Sequence, residues 1–139
     1  MPPDFVRPIE RLAQNMFISP PTLAQLAAIA AFDCREELDL NVARYAENRK
    51  ILQRALPEAG FGDLAPCDGA FYVYADVTRL TNDSEKFCRQ MLQATGVAAT
   101  PGIDFDTGRG NHYVRFSFAA DSDTVARAAD ALIGWLKPE

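Results

Sequence analysis

One charged residue, Arg115, interrupts an otherwise apolar and aromatic run from Tyr113 to Phe118. Because side chains alternate between the two faces of a strand, Arg115 shares its face with Tyr113 and Ser117, and the other face is fully apolar. Such a strand needs a hydrophobic core on one side and an anion for the guanidinium on the other, because desolvating an unpaired charge costs several kcal/mol. The flat guanidinium fork suits a carboxylate, which accepts two parallel hydrogen bonds from it. The residues alone leave two partners open: a carboxylate of this chain, in a structural salt bridge, or the carboxylate of a ligand.

Length and charge limit the classes of protein to which this chain can belong. Its 139 residues suit about one domain, and 48% hydrophobic with 24% charged residues is typical of a soluble globular protein. A formal net charge of −5 argues against nucleic acid and against an anionic membrane surface as partners. No apolar stretch is long enough to span a bilayer, and the N-terminus lacks the basic-then-apolar pattern of a secretory signal. The sequence therefore predicts a cytoplasmic protein.

The three cysteines do not form a recognisable site. Cys34, Cys67 and Cys88 are far apart, form no Cys-x-x-Cys pair, and are accompanied by only one histidine, His112. We expect reduced thiols and no bound metal.

Hydrophobic periodicity and turn residues predict the order of secondary structure. The predicted helices cover residues 8–15, 23–31, 35–59, 84–95 and 122–136, and the predicted strands cover residues 69–75, 97–100 and 113–118. Asn82, Asp83 or Ser84 is expected to cap the fourth helix, and Asp121 or Ser122 the last. The break near residue 33 is weak, so one long bent helix is an alternative for the second and third helices. The pattern indicates an α+β fold: a small sheet of about three to four strands, helices packed on one face, and a long or bent helix before it.

The sequence contains no evident catalytic motif. The glycines between residues 102 and 110 fit neither a Walker loop nor a dinucleotide-binding loop, and no pair of carboxylates stands out. Lys50, Lys86 and Lys137 have polar neighbours on amphipathic helices or at their ends, without the apolar or cationic setting that activates a lysine for Schiff-base chemistry. The sequence thus predicts an anion-binding arginine without catalytic machinery.

Four segments, taken in order, carry a resemblance to a known family. They are Ser19–Thr22, Gly69–Tyr72, Gly96–Gly102 and Tyr113–Ala119. Together with the long helical region, they resemble the C-terminal part of a class I/II pyridoxal-phosphate-dependent aminotransferase of the aspartate-aminotransferase-like fold type I. The resemblance implies that residues 1–32 are the tail of a large domain and a connecting helix, and that residues 33–139 form the C-terminal small domain.

The resemblance also implies roles for individual residues and a cofactor. Arg115 would bind the carboxylate of an amino-acid or 2-oxo-acid substrate, and Phe71 would form a wall of the pocket. A full-length parent, expected to be a homodimer, would use pyridoxal phosphate to transfer an amino group. The family's Schiff-base lysine, pyridine-binding aspartate and phosphate-binding residues lie upstream of the matched region, so no cofactor is expected on this fragment.

Two other functions stay open at this stage. One is a non-catalytic amino-acid-binding or interaction module of α+β type that offers Arg115 to a carboxylate. The other is a structural fragment that self-associates through the apolar face of the helix over residues 23–31. The sequence does not identify the amino acid used by a parent enzyme, and it does not separate transamination from related lyase or synthase activities.

Overall fold

The computed structural model describes residues 1–137 and divides the chain into two compact units. The first unit is Met1–Asp39, and the second begins at Leu40. The boundary falls inside the helix that spans Arg35–Glu58.

The first unit is entirely helical. It contains α1 (Pro3–Met16), α2 (Thr22–Ala31) and the beginning of α3 (Arg35–Glu58). Helix α1 starts earlier than the predicted residue 8, because Pro3 occupies the first turn, where a proline costs no intrahelical hydrogen bond. Pro8 lies inside this helix and does not begin it.

A tight turn separates α2 from α3, so the alternative of one long bent helix is wrong. The backbone N–H groups of Phe32, Asp33 and Cys34 each donate to the carbonyl three residues earlier. This 3-10-like bonding closes α2 and lets a new helix begin at Arg35.

Neither α1 nor α2 contains a buried residue. The apolar face predicted for the helix over residues 23–31 is exposed: 80% of the surface of Leu23 and 67% of that of Ile29 are accessible to solvent. Propensity alone rarely stabilises helices of 10 to 14 residues. These helices therefore present apolar surface that the first unit does not itself cover.

The second unit contains a three-stranded antiparallel sheet. Its strands are β1 (Tyr72–Asp76), β2 (Thr100–Pro101) and β3 (Tyr113–Ser117), and β3 lies between the other two. Helices α4 (Ser84–Thr95) and α5 (Ser122–Leu136) and the remainder of α3 complete the unit. The predicted α+β class with a small sheet is confirmed.

One face of the sheet packs into the hydrophobic core, and the other carries Arg115. Core side chains of the strands join side chains of all three helices; among them are Leu56, Val73, Met91, Val114, Phe116 and Leu132. In β3, Val114 and Phe116 are buried while the alternate residues are not. The division of faces predicted from the sequence is confirmed.

Two strands are shorter than predicted, for reasons of backbone geometry. Ala70 has a φ of +56°, a left-handed conformation that interrupts an extended strand, so β1 begins only at Tyr72. The predicted strand over residues 97–100 is reduced to Thr100–Pro101, which pair with Arg115 and Val114. Pro101 cannot donate to a ladder, which suits an edge strand.

Helix ends follow the sequence signals closely. The side chain of Asp83 accepts a hydrogen bond from the Lys86 N–H, and Gly96 closes α4 in the left-handed conformation. Asp121 caps α5 by accepting from the Thr124 N–H, and hydrogen bonding by Thr124 lowers the pKa of the Asp121 carboxyl. Of the described residues, no helix is long and apolar enough to cross a membrane.

Candidate functional site

Arg115 occupies the middle of the central strand, β3. The residue opposite it on β1 is Tyr74, and the residue opposite it on β2 is Thr100. Its side chain is half-buried on the face away from the core, and Nη2 donates to Thr100 Oγ1 over 3.3 Å. Neighbouring strands on both sides therefore fix the position of this arginine.

Two aromatic rings lie against the guanidinium. The Cζ atom of Arg115 is 4.5 Å from the ring centre of Phe105 and 5.0 Å from that of Tyr72. Both distances are within the range of cation–π attraction. The rings shield the cation from water, which strengthens any hydrogen bond it makes to an anion.

Among residues 1–137, no carboxylate oxygen forms an ion pair with Arg115 within 4.0 Å. The ion pairs of this region join other residues, such as Arg109 with Asp106 at 3.2 Å. Of the two partners that the sequence left open for Arg115, the structural salt bridge is therefore not formed with any carboxylate of the described residues. The hydroxyl of Thr100 takes one of the five N–H donors of a guanidinium, so an external anion has donors available.

Arg115 lines an open cavity of about 380 Å³. The other lining residues are apolar or aromatic: Ala65, Pro66, Tyr72, Tyr74 and Phe105. A single cation within mostly apolar walls is the common composition of a site for a small organic anion.

Tyr74 contributes a stacked ring and a buried hydroxyl to this cavity. Its ring stacks on Tyr113, with centres 4.9 Å apart and planes 7° from parallel. Its hydroxyl is buried without a hydrogen-bond partner among the described residues. Burial, and then the nearby charge of Asp106, raise the pKa of Tyr74. Tyr74 is therefore a neutral phenol at physiological pH.

A loop between β2 and β3 brings Phe105 to Arg115. Two short 3-10 turns, Gly102–Asp104 and Gly110–His112, begin and end it. Hydrogen bonds from the N–H groups of Arg109 and Gly108 order the middle of the loop and lower the pKa of the Asp106 carboxyl. No sequence pattern points to Phe105, because a lone aromatic residue in a polar, glycine-rich loop gives no periodic signal.

Phe71 does not line the Arg115 cavity. Its ring packs edge-on against Tyr72, with ring centres 5.6 Å apart, and its carbonyl accepts a hydrogen bond from Phe118 N–H. Phe71 thus contacts a cavity residue, and its own contact with a ligand stays a prediction.

The cysteines and lysines lie outside the cavity. Cys34 is exposed, Cys67 and Cys88 are buried, and all three are free thiols. Burial raises the pKa of the Cys88 thiol to about 11, so it is not a nucleophile at neutral pH. Lys50 and Lys137 form ion pairs with glutamates on α3. No group of metal-binding side chains occurs within residues 1–137.

Comparison with known proteins places this arrangement in a family. The family model of class I and II aminotransferases matches residues 3–132. The valine–pyruvate aminotransferase of Mycobacterium tuberculosis is 48% identical over 132 residues, which are 94% of this chain and 34% of that protein. The (5-formylfuran-3-yl)methyl phosphate transaminase of Methanocaldococcus jannaschii is 29% identical over 93% of this chain and 34% of its own length.

Solved aminotransferase structures also match nearly the whole of this chain with about a third of their own length. A crystal structure of an aminotransferase from Mycobacterium tuberculosis superposes with a TM-score of 0.89 at 47% identity, covering 98% of this chain and 36% of that one. Aspartate aminotransferase from Thermotoga maritima gives a TM-score of 0.75 at 26% identity, covering 92% of this chain and 32% of that one. This chain spans about a third of the length of the curated relatives that it matches. It belongs to the class I and II aminotransferase family.

Proposed function

We propose that residues 33–139 are the C-terminal small domain of a pyridoxal-phosphate-dependent aminotransferase, and that Arg115 binds the carboxylate of the amino-acid or 2-oxo-acid substrate. Residues 1–32 would be the tail of the large domain and the connecting helix. The observation that carries the proposal is a half-buried guanidinium in an apolar cavity, which forms no ion pair with a carboxylate of residues 1–137. Holding a substrate by its carboxylate fixes the orientation of the bonds at its α carbon.

The cavity lining and the name of one relative support a monocarboxylic substrate with an apolar side chain. Arg115 is the only cation among the six residues that line the cavity. A dicarboxylate would leave its second charge against apolar walls, which is costly. The name of the mycobacterial relative, valine–pyruvate aminotransferase, agrees with small neutral substrates.

Pyridoxal phosphate supplies an electron sink for the reacting carbon in enzymes of this kind. The residues of the Arg115 cavity do not fit it, because they include neither a lysine nor a carboxylate. Lys50 and Lys137 lie on or beside α3 and pair with Glu47 and Glu58. We therefore assign the cofactor site to the other two thirds of a complete enzyme.

The purified chain is expected to have no transaminase activity. With equimolar pyridoxal phosphate, we expect no cofactor absorbance band to remain with the protein through gel filtration, and no 2-oxo acid to form from L-valine and pyruvate. A complete aminotransferase, treated in the same way, is the positive control. A retained band that disappears on substitution of one lysine by arginine would contradict this expectation.

Carboxylate binding by Arg115 can be measured directly in the 139-residue chain. We expect pyruvate to shift the Arg115 Nε–Hε signal in NMR titrations, with weak affinity, because most of the pocket is absent. Arg115→Lys keeps the charge but loses the planar fork, and should weaken binding by about five- to tenfold. Arg89→Lys is the matched control, since Arg89 is exposed and pairs with Glu85 at 3.2 Å.

The same titration tests the alternative of an amino-acid-binding module. Such a module would bind one amino acid saturably and selectively, whereas an enzyme fragment should bind small monocarboxylates weakly and with little selectivity. If pyruvate leaves Arg115 unperturbed at all concentrations, the assignment of a carboxylate to this residue fails.

A further inference from the structure

We propose that Phe105 is a positioning residue for Arg115: its ring holds the guanidinium in the orientation in which it meets a substrate carboxylate. This inference rests on the carboxylate-binding role proposed above and extends it to a residue that acts only through Arg115.

Three different elements contact the guanidinium. Thr100 on β2 accepts a hydrogen bond from Nη2, Tyr72 on β1 contributes one ring, and Phe105 in the loop contributes the other. Thr100 and Tyr72 are held by the ladders of the sheet, which are fixed by strand register. Phe105 makes the shorter of the two ring contacts, at 4.5 Å against 5.0 Å. The sheet thus fixes the backbone of Arg115 and two of its contacts, and the loop adds the contact with the Phe105 ring.

Within this chain, burial does not account for the position of the Phe105 ring. Phe105 is 55% exposed, whereas the core residues Phe87 and Phe116 are 5% and 3% exposed. A ring that keeps more than half of its surface in water gains little from the hydrophobic effect. Its contact with the Arg115 cation is the specific interaction that its location provides.

A close approach of two backbone segments holds the loop in place. The Gly102 carbonyl accepts hydrogen bonds from the N–H groups of Phe105 and Asp106, at 2.9 and 3.0 Å. A Cβ atom on Gly102 would lie 2.5 Å from the Gly110 carbonyl oxygen and 2.6 Å from that of Tyr113. The start and end of the loop therefore touch through backbone atoms, which fixes Phe105 more rigidly than flexible side chains would.

The test compares Phe105→Leu with Phe105→Tyr in the 139-residue chain, with pyruvate as the ligand. In the wild type, we expect ring currents to displace the Arg115 Nε–Hε signal and a high order parameter for that group. Phe105→Leu should move the signal toward its random-coil position, lower the order parameter, and weaken pyruvate binding by about two- to fivefold. Phe105→Tyr keeps the ring and should restore all three readings.

Phe32→Leu is the matched control, because Phe32 is 87% exposed and lies in the first unit. Unchanged amide signals of Val73 and Phe116 would show that the core of each variant is intact. If Phe105→Leu changes neither the Arg115 signal nor the affinity, the positioning role is wrong although carboxylate binding stands. If the wild type does not respond to pyruvate, carboxylate binding fails, and the ring-dependent signal still decides whether Phe105 orders the guanidinium.

Discussion

Replacing Asn48 by alanine should lower the free energy of unfolding by about 2–4 kcal/mol. Asn48 lies on α3 and is completely buried, and its Nδ2 donates to the carbonyls of Phe118 and Ala120 at 3.0 and 2.9 Å. These carbonyls belong to the segment that leads from β3 to α5. The alanine variant would leave both without this donor and would create a cavity, and each effect costs free energy.

Urea denaturation followed by far-UV circular dichroism measures this effect. Asn41→Ala is the matched control on the same helix, because Asn41 only accepts an exposed hydrogen bond from Arg44. We expect the control to change stability by less than about 0.5 kcal/mol. Equal destabilisation by the two substitutions would show that the contact between α3 and the β3–α5 segment does not stabilise the fold.

Asn48 also illustrates what the sequence could not predict. Leu38, Val42, Leu52 and Leu56 recur at helical spacing along α3, which is typical of one apolar face, but Leu38 and Val42 are exposed, at 51% and 65%. The residues that this helix buries are Asn48, Leu52, Ala55 and Leu56. A polar residue 70 positions away from its partner looks like a surface residue until the fold is known.

Features that depend on neighbouring residues can be predicted from this sequence, whereas contacts between residues far apart along the chain cannot. The alternation around Arg115, the caps at Asp83 and Asp121, and the left-handed Gly96 depend on neighbouring residues, and the structure contains each of them. The contact of Phe105 with Arg115 depends instead on the path of a whole loop. Sequence periodicity carries no information about such a path, so the sequence points to Arg115 but not to Phe105.

The Gly102–Gly110 contact that defines this loop can be tested by adding one methyl group. A Cβ atom on Gly110 would overlap the carbonyl group of Gly102 and lie 2.5 Å from the Ile103 nitrogen. Because these are backbone atoms, the strain cannot be relieved by a change of rotamer. Gly110→Ala should therefore lower the free energy of unfolding by about 1–3 kcal/mol, measured by urea denaturation.

The matched control for Gly110→Ala is the same substitution at Gly134, which should have the opposite sign. Gly134 lies exposed within α5, and a Cβ atom there would meet nothing within 4 Å. Alanine favours the helix, so Gly134→Ala should raise the free energy of unfolding by about 0.5–1 kcal/mol. In Gly110→Ala, the Arg115 Nε–Hε signal should move as well, because a displaced loop takes the Phe105 ring with it. Loss of stability without movement of that signal would mean that the loop relaxes elsewhere, and that the glycine contact supports the fold without setting the position of Phe105.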